Sequence, residues 1–383
     1  MTVVVVGGGI VGLSSAYHLA ARGAEVIVCE KGSIGGGSTA RSAGGIRAQF
    51  STPVNVDLSL ASVPVWERFE RDFGVDIAYR RTGYLFLART EGTAAALREG
   101  AAMQRARGVP SEVLAPDEAT RHCPELRDGA YVAATYSPTD GFADPYLALQ
   151  GFAGAARDAG AEIRTKTPVT AIHREGDRVV GVEAGGDRID ATHVVNAAGP
   201  WAARVAELAG IDIPVSPRRR RALVVDPERP VPEDAPLTID LDTGAYFRPE
   251  REGAAIVGGH FDDDDDPPQD PDGYRESIDL DWAAAAVERA ADCAGYFGPD
   301  SRIRRGWAGL YAVTPDHHPI VEETVPGFVN AVGFSGHGFQ HAPATGRLVA
   351  ELALDGEAST VDLEPLRSDR FDTGDGAVER NVA

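Results

Sequence analysis

The chain has 383 residues and is strongly acidic, since 58 Asp and Glu residues against 37 Lys and Arg residues give a formal net charge of −21. A surface of this charge repels nucleic acid and anionic lipid, so we expect neither as a partner. The length suits about two domains, and no apolar run is long enough to span a bilayer.

Only two of the basic residues are lysines, Lys31 and Lys166. Such composition is typical of proteins from a salt-loaded cytoplasm, so we expect a halophilic, cytoplasmic protein; an ordinary acidic enzyme is the alternative. Cys29, Cys123 and Cys293 lie far apart and form no pair at disulfide or zinc spacing, so no metal site is predicted. No signal peptide is predicted either, because the chain opens on valines without a basic region.

The beginning of the chain predicts a βαβ unit: a strand over Thr2–Val6, a helix over Ile10–Arg22 and a strand over Glu25–Cys29. Four consecutive valines in the first strand favour burial on both faces of a parallel sheet. Further predicted elements are, in order, strand Gly83–Ala88, helices Thr90–Arg107 and Pro145–Gly160, strands Pro168–His173, Val179–Glu183 and Thr192–Ala198, strands near Arg221–Val225, Ala245–Phe247 and Ala254–Gly258, and helices Asp281–Ala291 and Pro343–Leu354.

The last group of strands predicts a second, largely antiparallel sheet. Arg218–Arg221 begins its first strand, and we expect most of these side chains to be solvated or ion-paired, with one able to face a pocket. Five adjacent aspartates, Asp262–Asp266, predict a solvated loop, and the polar tail after Arg367 is expected to be frayed.

The turn between the first strand and helix has the pattern G-x-G-x-x-G at Gly7, Gly9 and Gly12. Gly7 makes the tight turn, Gly9 lets the backbone approach a pyrophosphate, and Gly12 allows the helix to pack closely on the strand. The helix N-terminus offers free N–H groups to the phosphates. Glu30 closes the second strand, where a carboxylate can accept from ribose hydroxyls, which favours FAD or NAD over NADP.

Segments 35–47, 194–201, 306–316 and 333–340 add glycines and small or hydroxyl residues beside predicted strands and turns. Taken in this order, they resemble the D-amino acid oxidase superfamily, and most closely the branch of sarcosine oxidase, glycine oxidase, dimethylglycine dehydrogenase and archaeal proline dehydrogenase β subunit. The resemblance covers nearly the whole chain and implies FAD, not NAD.

Glycines and small residues beside predicted strands, a pattern typical of dinucleotide-binding folds, occur at the start, middle and end of the chain. This distribution predicts an α/β fold with a Rossmann-like FAD-binding domain in three pieces, residues 1–82, 141–215 and 305–383. The resemblance implies that a substrate domain, residues 83–140 and 216–304, covers the flavin with its antiparallel sheet.

The residues predicted to contact FAD come from the glycine turn, the end of the second strand and the segments that carry the resemblance. They are Gly7, Gly9, Ile10, Val11, Gly12, Glu30, Lys31, Ser38, Thr39, Arg41, Ser42, Ala43, Gly44, Val169, Ala197, Ala198, Gly199, Trp201, Gly309, Gly336, His337, Gly338, Phe339 and Gln340. Gly309 stands where some relatives attach flavin to a cysteine, so the resemblance implies non-covalent FAD.

For the substrate, the resemblance implies that Arg47 binds a carboxylate, which a guanidinium can hold with two hydrogen bonds. Gln340 falls where this branch often has a second basic residue, and Arg248 could supply that missing basic group instead. Tyr246 and His260 match active-site positions of the covering sheet. His337 lies near the expected flavin ring.

The expected reaction is oxidation of a carbon–nitrogen bond in a small amino acid or N-alkyl amino acid, such as sarcosine, proline, glycine or a D-amino acid. The alternatives are a 2-hydroxy acid dehydrogenase of the 2-hydroxyglutarate type and a flavin subunit of a larger complex with a partner subunit. No lysine stands near Ile256, where some related oxidases activate oxygen, which favours a quinone or redox protein over O2 as electron acceptor.

Overall fold

The computed structural model describes residues 1–261, 266–374 and 376–382. Of the predicted aspartate loop, residues 262–265 therefore lie outside the described chain. The strands of the described residues are β1 (Thr2–Val6), β2 (Glu25–Cys29), β3 (Gly45–Ile46), β4 (Tyr84–Ala88), β5 (Glu112–Leu114), β6 (Ala133–Ser137), β7 (Gly141–Phe142), β8 (Glu162–Arg164), β9 (Val169–Glu175), β10 (Arg178–Ala184), β11 (Asp187–Asp190), β12 (His193–Asn196), β13 (Ser216–Asp226), β14 (Leu237–Asp240), β15 (Ala245–Pro249), β16 (Ala255–Gly259), β17 (Arg302–Val313), β18 (Ile320–Val325) and β19 (Phe328–Val332).

Helices connect and cover these strands. They are α1 (Ile10–Ala21), α2 (Pro53–Glu67), α3 (Phe69–Phe73), α4 (Glu91–Ala106), α5 (Pro116–Ala119), α6 (Pro145–Asp158), α7 (Ala202–Leu208), α8 (Leu280–Cys293), α9 (Gly338–Asp355) and α10 (Arg370–Thr373). No helix of the described residues has both the length and the apolar composition needed to cross a membrane.

The first large sheet has the strand order β18-β19-β12-β1-β2-β8. Its strands are parallel except β18, which pairs antiparallel with β19. The valines of β1 alternate between the two faces: Val3 and Val5 join the core formed with α1, α6 and α9, whereas Val4 and Val6 join the core on the other side. The prediction that this strand is buried on both faces is confirmed.

The second large sheet has the order β17-β13-β16-β15-β14-β4-β6-β5 and is antiparallel apart from the β14–β4 pair. One face packs on α8, with Phe247, Val257 and Trp282 in a shared core. The opposite face, which we call the roof face, carries apolar clusters that include Phe86 and Ala222. The predicted fold class, an α/β protein with a Rossmann-like, mostly parallel sheet and a largely antiparallel second sheet, is confirmed.

Several boundaries differ from the prediction. Strand β17 pairs with β13 along its length, so the predicted division at residue 305 cuts through a strand of the second sheet. Strand β13 already begins at Ser216, and α9 begins at Gly338 with Pro343 inside it. The tail after Arg367 is not frayed throughout, because α10 forms and Glu379 is fully buried.

Candidate active site

A cavity of about 640 Å³ runs from the carboxyl ends of β1 and β2 to the roof face of the second sheet. Its near end is lined by the glycine turn and Glu30, its middle by segment 35–43, and its far end by Tyr246, Tyr311 and the N-terminus of α9. The carboxyl edge of a parallel sheet is where nucleotides bind in this architecture.

The glycine turn is shaped by close backbone contacts. A Cβ atom on Gly7 would lie 2.5 Å from the Ala197 carbonyl oxygen, and one on Gly12 would lie 2.0 Å from the Gly7 oxygen. Gly7 also has φ +112°, which favours glycine. A Cβ on Gly9, by contrast, would meet only the Thr39 hydroxyl, at 3.4 Å. Gly9 therefore leaves open space in front of α1, where N–H groups are available to an anion.

Glu30 is held in place by backbone donors. Its Oε2 accepts from the Gly8 N–H at 2.8 Å and its Oε1 from the Gly32 N–H at 2.6 Å. A carboxylate oxygen has further lone pairs, so both oxygens can still accept from a ligand hydroxyl. Beside it, the Lys31 ammonium lies 4.3 Å from the ring centroid of Trp201 and pairs with Asp272, which lies in the connection between β16 and α8.

The middle of the cavity joins segment 35–43 to β17. Ser38 donates to the Leu310 carbonyl at 2.6 Å, and the Trp307 indole donates to the Arg41 carbonyl at 3.0 Å. The Arg41 guanidinium donates back to the Gly37 carbonyl at 2.9 Å. These bonds hold the loop against the roof and define the width of the cavity between them.

The register of the second sheet determines which side chains face the cavity. Tyr246 pairs with Gly258, Gly258 with Ala222, and Ala222 with Trp307, so this row shares one face. Arg220, two residues before Ala222, lies on the same face and also lines the cavity. Its guanidinium pairs with Asp266 at 2.8 Å, so this aspartate is not simply solvated as predicted.

Three tyrosines lie at the roof end: Tyr84 is buried, and Tyr246 and Tyr311 are partly buried. Burial raises the pKa of all three, so each phenol stays protonated at neutral pH and can donate a hydrogen bond. None of the three hydroxyls has a hydrogen-bond partner among the described residues. A Cβ atom on Gly336 would lie only 2.3 Å from the Tyr311 ring. A glycine at position 336 is therefore needed for this ring to approach α9.

Arg47 lies behind these tyrosines and is only 5% exposed. Its guanidinium carbon lies 3.9 Å from the Phe50 ring centroid, and its N–H groups donate to the carbonyls of Gln49 and Asn381. Its Nη2 is 3.2 Å from His337 Nε2. Burial and nearby Arg47 lower the pKa of His337 well below 6.5, so this imidazole is neutral and can accept.

Gln340 supports the same cluster. Its side-chain oxygen accepts from the Arg47 backbone N–H at 2.8 Å, and its carbonyl accepts from the Trp66 indole at 2.9 Å. Asp140 holds the following turn, accepting from the Ala48 N–H at 2.9 Å, and burial raises its pKa to about 6.

Arg248 and His260 are placed differently. Arg248 is buried on the roof face and donates to the carbonyls of Ala43 and Pro249 at 3.0 and 2.8 Å. His260 is one-third exposed at the end of β16, with its Nε2 3.7 Å from Asp266. Neither residue lines the cavity wall, which at this end is formed by Tyr246, Tyr311 and Arg220.

A sequence profile of the FAD dependent oxidoreductase family, DAO, matches residues 2–352. The chain belongs to this family. It is 33% identical to FAD-dependent oxidoreductase domain-containing protein 1 of Xenopus laevis, over 99% of the chain and 84% of that protein. It is 28% identical to sarcosine oxidase subunit beta of Arthrobacter sp, over 97% and 91%. The structure of L-proline dehydrogenase from P. horikoshii superimposes with a TM-score of 0.89 at 33% identity, covering 98% of each chain.

The family's cofactor is FAD, and the cavity fits it: a carboxylate at one end, an open glycine turn before a helix, and a space under the roof face. Most residues predicted to contact FAD line the cavity. Those that line it are Gly7, Gly9, Ile10, Val11, Glu30, Lys31, Ser38, Thr39, Arg41, Ser42, Ala43, Val169, Ala197, Ala198, Gly199, Trp201, Gly309, Gly336, Gly338 and Phe339.

Four residues predicted to contact FAD do not line the cavity: Gly12, Gly44, His337 and Gln340. Gly12 packs α1 on the turn, and a Cβ on Gly44 would lie 2.0 Å from the Ala143 oxygen, so both are required by backbone packing. His337 and Gln340 contact Arg47 instead.

Sequence reasoning missed Tyr84, Tyr311 and the individual position of Arg220. A tyrosine in a predicted strand is ordinarily a core residue, and only the strand register shows which face it occupies. Side chains of a strand alternate between its two faces, so residues 218, 220 and 222 of β13 share a face with their partners 311, 309 and 307 of β17. This shared face could have been predicted from the sequence if β17 had been predicted. Among the described residues, no group of three or more His, Cys, Asp or Glu side chains could hold a metal ion.

Proposed function

We propose that the protein oxidises the carbon–nitrogen bond of a small amino acid or N-alkyl amino acid. The observation that carries this proposal is the cluster that closes the roof end of the cavity. Tyr246, Tyr311 and Arg220 line the wall, while Tyr84, Arg47 and Arg248 lie behind it, close enough to interact electrostatically with these tyrosines. This is an environment for an anionic group. Sarcosine oxidase subunit beta and L-proline dehydrogenase, both similar over nearly the whole chain, support an amino acid as the substrate.

Bound FAD would supply the acceptor for the hydride that leaves the substrate carbon. The protein's own residues would bind and orient the substrate. Arg47 has two N–H groups that no described residue accepts, and Tyr246 and Tyr311 offer neutral donors. Clustered cations also disfavour a bound ammonium, so the substrate amine would bind in the neutral form that can release hydride.

Arg220 is a better candidate than Arg248 for a second carboxylate contact. Arg220 lines the cavity wall, with its Nη atoms donating to Asp266 and to the Arg219 carbonyl. Arg248 lies outside the wall and donates to the carbonyls of Ala43 and Pro249. Gln340 would position Arg47 rather than touch substrate.

A 2-hydroxy acid substrate is the less favoured alternative, because alcohol oxidation needs a general base. His337 accepts from Arg47 outside the cavity wall, and His260 lies at the rim beside Asp266. Neither arrangement favours proton abstraction from a ligand under the roof.

We also propose non-covalent FAD, a quinone or redox protein as acceptor, and a salt-adapted cytoplasmic enzyme. Gly309 lines the cavity where a cysteine would be needed for attachment. Ile256, beside Arg248 on the roof face, stands where a lysine would activate oxygen. Acid precipitation should release the flavin to the supernatant; flavin remaining in the pellet would contradict the non-covalent assignment. An active isolated chain would exclude a required partner subunit.

The test is anaerobic reduction of the bound flavin in high KCl, monitored through the flavin's visible absorbance. Sarcosine, L-proline, glycine, D-amino acids and 2-hydroxyglutarate are added in turn, and air is then admitted. Bleaching by an amine with slow recovery in air is expected. Fast recovery would indicate an oxidase, and bleaching only by the hydroxy acid would overturn the proposal.

A further inference from the structure

The C-terminal segment, residues 376–382, docks beside the active site. Its residues alternate in exposure: Glu379 is fully buried and Asn381 is 8% exposed, while Val378 and Arg380 face solvent. The segment runs between the turn before α2 and the loop after β17, where the Glu379 N–H donates to the Asp316 carbonyl at 3.0 Å. Through Asn381, the segment is in direct contact with Arg47.

The Glu379 carboxylate is saturated with donors from the N-terminus of α2. Oε1 accepts from the N–H and hydroxyl of Ser51 at 2.8 and 2.6 Å, and Oε2 from the N–H and hydroxyl of Thr52 at 3.1 and 2.7 Å. The Asn55 amide adds a bond of 3.1 Å to Oε2. Burial opposes ionisation, but these hydrogen bonds lower the pKa of Glu379 below 4.5, so the buried group is an anion.

This anion is electrostatically coupled to Arg47, the buried cation of the site. Asn381 links the two charged residues directly. Its N–H donates to Glu379 Oε1 at 3.0 Å, and its carbonyl accepts from Arg47. The Asn381 side chain donates to the Gln49 carbonyl at 3.2 Å, which is the other carbonyl that Arg47 contacts. The segment thus supplies both compensating charge and a direct acceptor.

We propose that Glu379 and Asn381 are positioning residues of the active site, which fix the Arg47 guanidinium in the orientation that binds the substrate carboxylate. This inference rests on the proposed function of Arg47. Without the segment, Arg47 would lose the Asn381 carbonyl and the charge of Glu379, keeping the Gln49 carbonyl, His337 and the more weakly coupled Asp140. Its guanidinium would then turn toward solvent, because a poorly compensated buried charge is costly.

A purely structural role for the segment makes a different prediction. If it only clamped α2, its loss would lower the melting temperature without changing the affinity for carboxylates. A positioning role predicts that loss of the segment lowers the affinity for carboxylate ligands. FAD content and kcat should stay near those of the parent protein, because the weakened carboxylate contact stabilises the bound substrate and the transition state equally.

The test uses acetate as the probe, titrated into the FAD-loaded protein and followed by the flavin visible spectrum, with uncharged acetamide as the control ligand. In Glu379→Gln we expect the Kd for acetate and the KM for the amine substrate to rise about tenfold, the cost of a weakened charged hydrogen bond. Acetamide binding and kcat should change little. Arg380→Ala, an exposed neighbour in the same segment, should behave as the parent protein.

Unchanged acetate affinity in Glu379→Gln would overturn the inference. If that variant does not fold, a chain ending at Arg380 keeps Glu379 but lacks the Asn381 carbonyl, and the same rise in Kd is expected. A parent protein whose flavin responds to neither acetate nor an amino acid would instead overturn the proposed carboxylate site, and the inference with it.

Discussion

Adjacent arginines in β13 have opposite surroundings. Arg220 lines the cavity, whereas Arg219 faces away and donates to the Arg275 carbonyl at 2.8 Å. We expect Arg220→Gln to raise the KM for a carboxylate-bearing substrate about tenfold, because a charged hydrogen-bond donor is lost. Arg219→Gln makes the same change in net charge and should leave KM unaltered. Equal effects in the two variants would show that only long-range charge is involved.

At the residue scale, the sequence predicted the nucleotide end better than the substrate end. Gly7 and Glu30 belong to a local motif, in which a strand, a turn and a helix constrain each other within a few dozen residues. Arg47 was predicted as a carboxylate ligand, but its contact with Asn381 joins two distant parts of the chain. No local pattern could indicate a contact of that kind.

The β1–α1 turn separates two roles of its glycines. Gly9→Ala should fold but lose FAD, because its Cβ would project into open space where the pyrophosphate approaches, with only Thr39 nearby. Gly12→Ala should lower the melting temperature strongly, because its Cβ would overlap the Gly7 carbonyl. The flavin-to-protein ratio and thermal melting of the apoproteins distinguish the two. A Gly9→Ala variant with full flavin content would contradict this reading of the turn.

The loop after β17 is tied to the C-terminal region by Asp316, which pairs with Arg370 at 2.7 Å. Burial opposes ionisation of Asp316, but bonds from His318 and Arg370 lower its pKa below the ordinary 3.8. Its contribution to the free energy of unfolding is therefore complete above the ordinary pKa and is lost as pH falls through the lowered one.

Asp316→Asn should accordingly melt at a lower temperature than the parent protein at pH 7, and the difference should shrink below about pH 4. Melting curves across this pH range measure it. The control is Asp369→Asn, since this exposed carboxylate forms only a surface pair with Arg367. A difference that is constant with pH would exclude the ion pair as its cause.

At the element scale, periodic segments were predicted within a few residues: α1, α4 and α8 start and end close to their expected limits. The arginine run Arg218–Arg221 was predicted to begin a strand, and β13 starts only two residues earlier, at Ser216, where pairing with β17 continues. Helix α2 was missed because Pro64 lies inside it and its apolar residues show no single stripe.

The whole molecule carries a net charge of −21, and its surface pairs use arginine almost throughout. Self-repulsion of this size is reduced when the screening length shortens, to about 3 Å at 1 M salt. We expect the melting temperature and activity to rise with KCl into the molar range. Sucrose at equal osmolality should not reproduce the gain in activity, and a melting temperature indifferent to KCl would exclude salt adaptation.

The order of strands in the first sheet has a consequence for biosynthesis. In β1, Val3 pairs with His193 of β12, and Val194 of β12 pairs in turn with Phe328 of β19. Strand β2, on the other side of β1, follows soon in the chain. The edge of β1 that faces β12, however, must wait for a partner that leaves the ribosome much later. Non-local parallel pairing is slow to form. The open edge of the newly made valine strand is thus a segment that a chaperone would have to shield until Asn196, at the end of β12, has emerged.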